Sequence, residues 1–186
     1  MIKNSFIFIP EIGQKTEQKL WEMGILSWDE LEWCDFSFIK NKKNVKKYIR
    51  NAHHAVLEKK TDFFATVLPP KEYWRLYKEF QDKTLFLDIE TTGLSPYYNF
   101  ITLICTYDGK NIKFFIKDNN LNEIIFFIQN YEIIVTFNGT LFDLPFIKKE
   151  IPEIQFPPIH IDLRFLLKSI GINGPLKKVE EKIGIE

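Results

Sequence analysis

Cysteine is nearly absent from this chain. Its 186 residues include two, Cys34 and Cys105, far apart. That excludes a disulfide framework and fits reduced thiols in a cytoplasmic protein. No Cys/His group has the spacing of a zinc site. The adjacent His53 and His54 cannot place both rings on one helix face and read as surface. No apolar run approaches the roughly 20 residues a membrane helix needs, so no membrane partner is expected. Met1 to Ser5 lacks the apolar core and cleavage site of a signal peptide. Net charge is absent too: 25 Lys and Arg balance 25 Asp and Glu. The overall balance therefore argues neither for nor against a nucleic-acid partner. There is no internal repeat and no low-complexity tract. What remains is a chain long enough for one or two small domains with a sizeable core.

Phenylalanine, by contrast, is plentiful, with 18 residues. Residues 1–82 read as a small helical region. Gly13 to Met23 predicts a helix capped by Gly24. Ser27 with Glu30 three residues on predicts a capping box opening a short helix to about Trp33. Ile9 to Thr16 resembles, in part, the hairpin of helix-hairpin-helix DNA-binding modules. Glu11 stands where that family has glycine, and the stretch reads as a packing element. Asn44 to Leu57 predicts an amphipathic helix, with Val45, Tyr48, Ile49, Ala52 and Val56 on one face. No acidic residue occurs from Phe36 to Leu57, while Lys40, Lys42, Lys43, Lys46, Lys47 and Arg50 do. Lys43, Lys46, Lys47 and Arg50 on the opposite face form a candidate stripe for tracking phosphates, or a plain solvated face. Lys71 to Phe80 predicts a helix whose aromatic stripe reads as core.

From Lys83 to Glu186 the pattern alternates strands with helices. Strands are expected at Thr84–Ile89, Phe100–Tyr107 and Ile112–Ile116. The Asp108-Gly109 turn makes these three an antiparallel meander. Helix Leu121–Gln129, strand Ile133–Thr136, helix Phe142–Lys149 and strand Ile159–Ile161 follow. Helices Leu163–Ser169 and Leu176–Ile183 close the region. Pro145 fits if it lies in the first turn of its helix.

Two constellations carry chemistry. Side chains alternate along a strand, so Asp88 and Glu90 share a face, only ~7 Å apart. Like charges that close disfavour each other's ionised form. A divalent cation with a taste for carboxylate oxygens relieves that cost. A strand end emerging into water is the other reading. The second constellation is Asn138-Gly139-Thr140-Leu141-Phe142-Asp143. A strand delivers an amide and a glycine to a turn, and an acid follows in the first turns of a helix, where the dipole favours it.

Asp88-Ile89-Glu90-Thr91-Thr92-Gly93-Leu94 resembles the first motif of the DEDD-type 3′–5′ exonucleases of the ribonuclease H-like fold. Asn138 to Phe146 resembles the second motif, most like the version in family B DNA polymerases. Gly174 to Glu180 resembles the helix that precedes the third. The whole is most similar to bacterial ribonuclease H-like proteins with a helical N-terminal region. The order of strands and helices matches. The implied fold is an α/β, ribonuclease H-like mixed sheet, three antiparallel strands then parallel ones, flanked by helices. The implied activity is two-metal hydrolysis of phosphodiester bonds at single-stranded DNA or RNA ends, with two Mg²⁺ or Mn²⁺ ions. By the same resemblance Asp88, Glu90 and Asp143 are the catalytic metal ligands. Asn138 positions the strand, and the backbone of Thr91, Thr92, Gly93 and Leu94 lies near the terminal nucleotide.

One part of the pattern is missing. The family has a fourth acid on a late helix, with a Tyr or His base before it, and this sequence ends at Glu186 first. Asp162 follows His160 by two residues, which is the wrong spacing, and His160 reads as structural or as a substrate contact. Glu180 and Glu181 fall in the helix leading up to the motif. The expectation is a domain incomplete at its C-terminus. The alternative is a catalytically impaired nucleic-acid-binding or scaffolding module that keeps the fold.

Overall fold

The computed structural model describes residues 1–33 and 42–185, the latter without the side chain of Lys42. Cys34 and Lys40 lie outside the described residues. The chain divides into two compact units, Met1–Gln81 and Asp82–Glu186.

The first unit is helical. It contains α1 (Gln14–Glu22), α2 (Trp28–Trp33), α3 (Lys42–Leu57) and α4 (Asp62–Val67), followed by a 3-10 run, Pro70–Glu79. The capping box forms as its sequence predicts: Glu30 accepts from the Ser27 N–H at 2.9 Å, and the Glu30 N–H donates to Ser27 Oγ at 3.3 Å. Val45, Ile49 and Ala52 of α3 are buried, while Lys43, Lys46, Lys47 and Arg50 are exposed. Edge-to-face rings join Phe8 to Trp28 and Phe64, and Phe64 to Phe80, across the core. Glu11 adopts the left-handed conformation, with φ of 71°.

Lys71 to Phe80 differs from its prediction, being 3-10 rather than α-helical up to Glu79. The run carries a buried ion cluster. A 3-10 turn eclipses residues three apart. That stacks Glu72 and Arg75, paired at 2.6 Å, and brings Arg75 to Glu17 at 3.2 Å. Glu17, 1% exposed, also accepts from Ser5 Oγ and the Phe6 and Ile7 N–H groups. A buried charge needs partners of this kind.

The second unit is built on a five-stranded sheet, ordered β3-β2-β1-β4-β5. The strands are β1 (Thr84–Thr91), β2 (Ile101–Tyr107), β3 (Ile112–Ile116), β4 (Ile133–Thr136) and β5 (Ile159–Asp162). β1 to β3 pair antiparallel, and β4 and β5 join parallel to β1 and to each other, as the sequence pattern implies. The helices are α5 (Ile124–Phe127), α6 (Asp143–Glu150), α7 (Leu163–Ser169) and α8 (Leu176–Ile183). One face of β1 places Leu85, Leu87 and Ile89 in the core with Ile124, Ile128, Phe146 and Ile147. The other face carries Asp88 and Glu90.

The helix expected at 121–129 is broken. Single turns of 3-10 helix, Leu121–Glu123 and Ile128–Asn130, flank the four residues of α5. The Ile124-Ile125-Phe126-Phe127-Ile128 run is β-branched and aromatic, and such side chains crowd the preceding helical turn. Asn130 then ends the segment by donating to the carbonyls of Phe126 and Phe127. No described helix is long and apolar enough to cross a membrane.

Candidate active site

β1 outlasts its parallel partner. β4 pairs with it only from Thr84 to Phe86. Beyond Phe86 that edge of β1 is released, and α6 begins beside it. The N–H of Ile89 on β1 and the Asp143 N–H both act on the Asp143 carboxyl to favour its ionised form. Asp143 is 3% exposed. Burial first, and the neighbouring charge of Asp88 second, push its pKa up to about 6. Asp88 is exposed as a residue, yet its carboxyl is partly withdrawn from water. That withdrawal, and then the charge of Glu90, raise its pKa. Its cross-strand neighbour Cys105 has its thiol pKa raised by burial and by Asp88.

Like charge therefore accumulates at the end of β1: Glu90 acts on Asp88, and Asp88 acts on Asp143. No Lys or Arg is ion-paired to Asp88, Glu90 or Asp143 among the described residues. This donor set, hard oxygens with uncompensated charge, fits Mg²⁺ or Mn²⁺. Asp88 and Asp143 are the pair the fold brings together. Among the described residues no three acidic, His or Cys side chains converge to hold a metal ion. Glu90 is exposed, on a flexible side chain one strand repeat further along.

The turn from β4 to α6 is held from β5. Asn138 has a φ of 69°, a conformation that asparagine tolerates better than most residues. Its N–H donates to Asp162 Oδ1 at 2.8 Å, and the Thr140 N–H donates to Oδ2 at 3.0 Å. Asp162 also caps α7 by accepting from the Arg164 N–H at 3.1 Å. Thr136 Oγ1 accepts from the Gly139 N–H at 3.1 Å and lies 2.9 Å from His160 Nε2. Burial lowers the pKa of His160, so the imidazole is held neutral as a hydrogen-bond partner. A Cβ on Gly139 would sit 2.2 Å from Thr136 Oγ1, so only glycine fits. Arg164 Nη1 donates to Asn138 Oδ1 at 2.6 Å.

His160 thus bonds to the residue that holds the turn, which agrees with the first of its two readings. Asp162, Thr136 and Arg164 act on the turn although the motif spacing does not single them out. The one legible signal was Asp162, an N-cap residue type at a strand-to-helix junction. Thr136→Val keeps the shape and removes the acceptor of a buried N–H. It is expected to cost about 1–3 kcal/mol in a urea denaturation curve. An unchanged midpoint would show that this hydrogen bond does not support the turn.

The loop after β1 is pinned at its base. Thr92 receives the Phe100 N–H on Oγ1 at 3.2 Å and donates its own N–H to the Phe100 carbonyl at 3.0 Å. Thr91 Oγ1 donates to the Gly93 carbonyl at 2.7 Å. Gly93 is packed so closely on Asn99 that a Cβ would lie 2.5 Å from Asn99 Oδ1. Leu94 is 86% exposed. Lys43, Lys46, Lys47 and Arg50 belong to the first unit.

A family model described as RNase_H superfamily matches residues 85–186. No curated protein matches the chain. Among solved structures, the family B DNA polymerase from the hyperthermophilic archaeon Pyrobaculum calidifontis is similar at 16% identity and a TM-score of 0.44. The match covers 55% of this chain and 18% of that one. Brucella melitensis NrnC bound to pGG is similar at 16% identity and a TM-score of 0.43, over 57% of this chain and 55% of that one. The Aedes aegypti Nibbler EXO domain is similar at 10% identity and a TM-score of 0.40, over 54% and 52%. This chain spans little more than half of the latter two structures, and less than a fifth of the polymerase.

Proposed function

The chain belongs to the RNase H superfamily, and from that premise we propose that its second unit is a metal-dependent nuclease acting 3′–5′ on single-stranded DNA or RNA ends. The observation that carries this reading is the row of acids in which Glu90 raises the pKa of Asp88 and Asp88 raises that of Asp143, with no Lys or Arg ion-paired to them among the described residues. Asp88, Glu90 and Asp143 are the residues that would hold two Mg²⁺ or Mn²⁺ ions. When bound, such ions lower the pKa of an attacking water and stabilise charge on the attacking and leaving oxygens. The chain's own part is positional. Ile89 and the helix start fix Asp143. Asp162 and Thr136 fix the turn that presents Asn138 to the strand. The loop from Thr91 to Leu94 offers backbone and an exposed leucine to the terminal nucleotide. In the first unit, the exposed Lys43, Lys46, Lys47 and Arg50 are assigned to the phosphate backbone.

The second reading is a binding or scaffolding module without turnover. It is favoured by one observation, that among the described residues no third ligand converges on the pair. A 5′-labelled single-stranded oligonucleotide, incubated with the protein in Mn²⁺ or in EDTA, separates the two. The expected result is a ladder shortening from the 3′ end in Mn²⁺ alone. Binding without cleavage supports the module. Neither binding nor cleavage rejects both readings.

A further inference from the structure

Beside the Asn138 turn lies a cleft of about 490 Å³ that the ligand set does not use. Phe137, Leu141, Arg164, Phe165, Lys168 and Asn173 contribute to its walls. That volume falls in the range of small-ligand sites. Its charge is one-sided: two cations line it and no acid does. Arg164 and Lys168 stand one turn apart on α7, on the same helix face. The Arg164 side chain donates to the neutral amide of Asn138, which leaves further guanidinium donors available. The Lys168 ammonium has no hydrogen-bond or ion-pair partner among the described residues. Around these cations the walls are apolar, and Phe165 and Leu141 are 46% and 65% exposed.

Paired cations without a counter-charge, set among exposed aromatic and aliphatic surface, complement one chemical class. It carries an anion at one end and a flat apolar face at the other. We propose that this cleft is a nucleotide subsite for the single strand engaged by the nuclease site. Arg164 and Lys168 hold a backbone phosphate, and the base packs on Phe165 and Leu141. Arg164 couples the cleft to the site through Asn138, five residues before Asp143. The inference rests on the reading that nucleic acid crosses this unit, and it adds residues outside all the motifs.

The test is fluorescence anisotropy of a fluorescein-labelled dT12 strand in EDTA, over a series of salt concentrations. Lys168→Glu, Phe165→Ala and Lys168→Arg are compared with the unaltered protein. Losing one phosphate contact on a single strand lowers the slope of log K against log salt by about 0.7. Lys168→Glu is expected to show that drop with a loss of affinity, and Lys168→Arg to restore both. Phe165→Ala is expected to weaken binding about fivefold or more with an unchanged salt slope. Wild-type affinity and slope in Lys168→Glu and Phe165→Ala would overturn the subsite, as would failure of the unaltered protein to bind dT12. The fate of the nuclease reading is read separately, from the Mn²⁺ ladder of the unaltered protein. A strand that is bound through the cleft but never cut retains the subsite and rejects the nuclease.

Discussion

Asp88→Asn is expected to abolish metal-dependent cleavage and leave the protein folded. Asp88 is the carboxylate that touches both neighbours electrostatically: Glu90 raises its pKa, and it raises that of Asp143. The same position between two acids suits a ligand shared by two ions. Removing its charge forfeits several kcal/mol of transition-state stabilisation, a loss of about a thousandfold or more in rate. Folding should not suffer, because the residue is exposed, the substitution relieves repulsion, and asparagine keeps an oxygen for the Ile89 N–H. Single-turnover cleavage in Mn²⁺ and a thermal melt, run on the same preparation, read the two effects apart. Cleavage at the wild-type rate would remove Asp88 from the site.

Asp143→Asn is expected to raise the stability of the metal-free protein at neutral pH. The sign follows from the direction of the shift. The folded-state pKa is raised from 3.8 to about 6, so the folded state holds this proton more tightly than the unfolded state does. Stability contributed by the proton is fully present below about 3.8 and is lost as pH rises through about 6. Over that window the loss is roughly 3 kcal/mol. Asparagine keeps an oxygen to accept from the Ile89 N–H and carries no charge. The variant should therefore melt higher than wild type at pH 7.5 in EDTA, with the gap closing near pH 4. Adding Mn²⁺ should raise the wild-type melting temperature and narrow the gap from the other side, because a ligand of the native state stabilises it. A wild-type protein that melts as high as the variant at pH 7.5 in EDTA would mean that Asp143 is not held at a charge cost. The argument for a cation at this position would then fail.

Much of this protein is local and was legible in order along the chain. Alternation placed Asp88 and Glu90 on one face of β1, and the Asp108-Gly109 turn set the antiparallel meander. Ser27 and Glu30 announced their own capping box. Each of these depends on residues within a few positions of one another, and period and turn chemistry suffice to decide them. The first two acidic motifs were legible for the same reason, since each lies in one short stretch.

The remainder needed contacts between distant residues. Glu17 reads as an ordinary charge on an amphipathic helix. It is buried because Ser5, Phe6, Ile7 and Arg75 converge on it. Asp162 and His160 looked like failed candidates for a catalytic motif. β5 instead lies beside β4 in the register that sets Asp162 against Thr136, and there both residues hold the Asn138 turn. Nor does residue type alone reveal that Asp143 is buried and titrates near 6. That follows from where β4 leaves β1, which exposes the Ile89 N–H to a carboxylate more than fifty positions further along the chain. By itself the sequence determined which residue types stand at the end of β1 and the start of α6. Only the tertiary structure decided that the charge of one acts on the buried carboxyl of the other, because strand register and burial are properties of the assembled sheet.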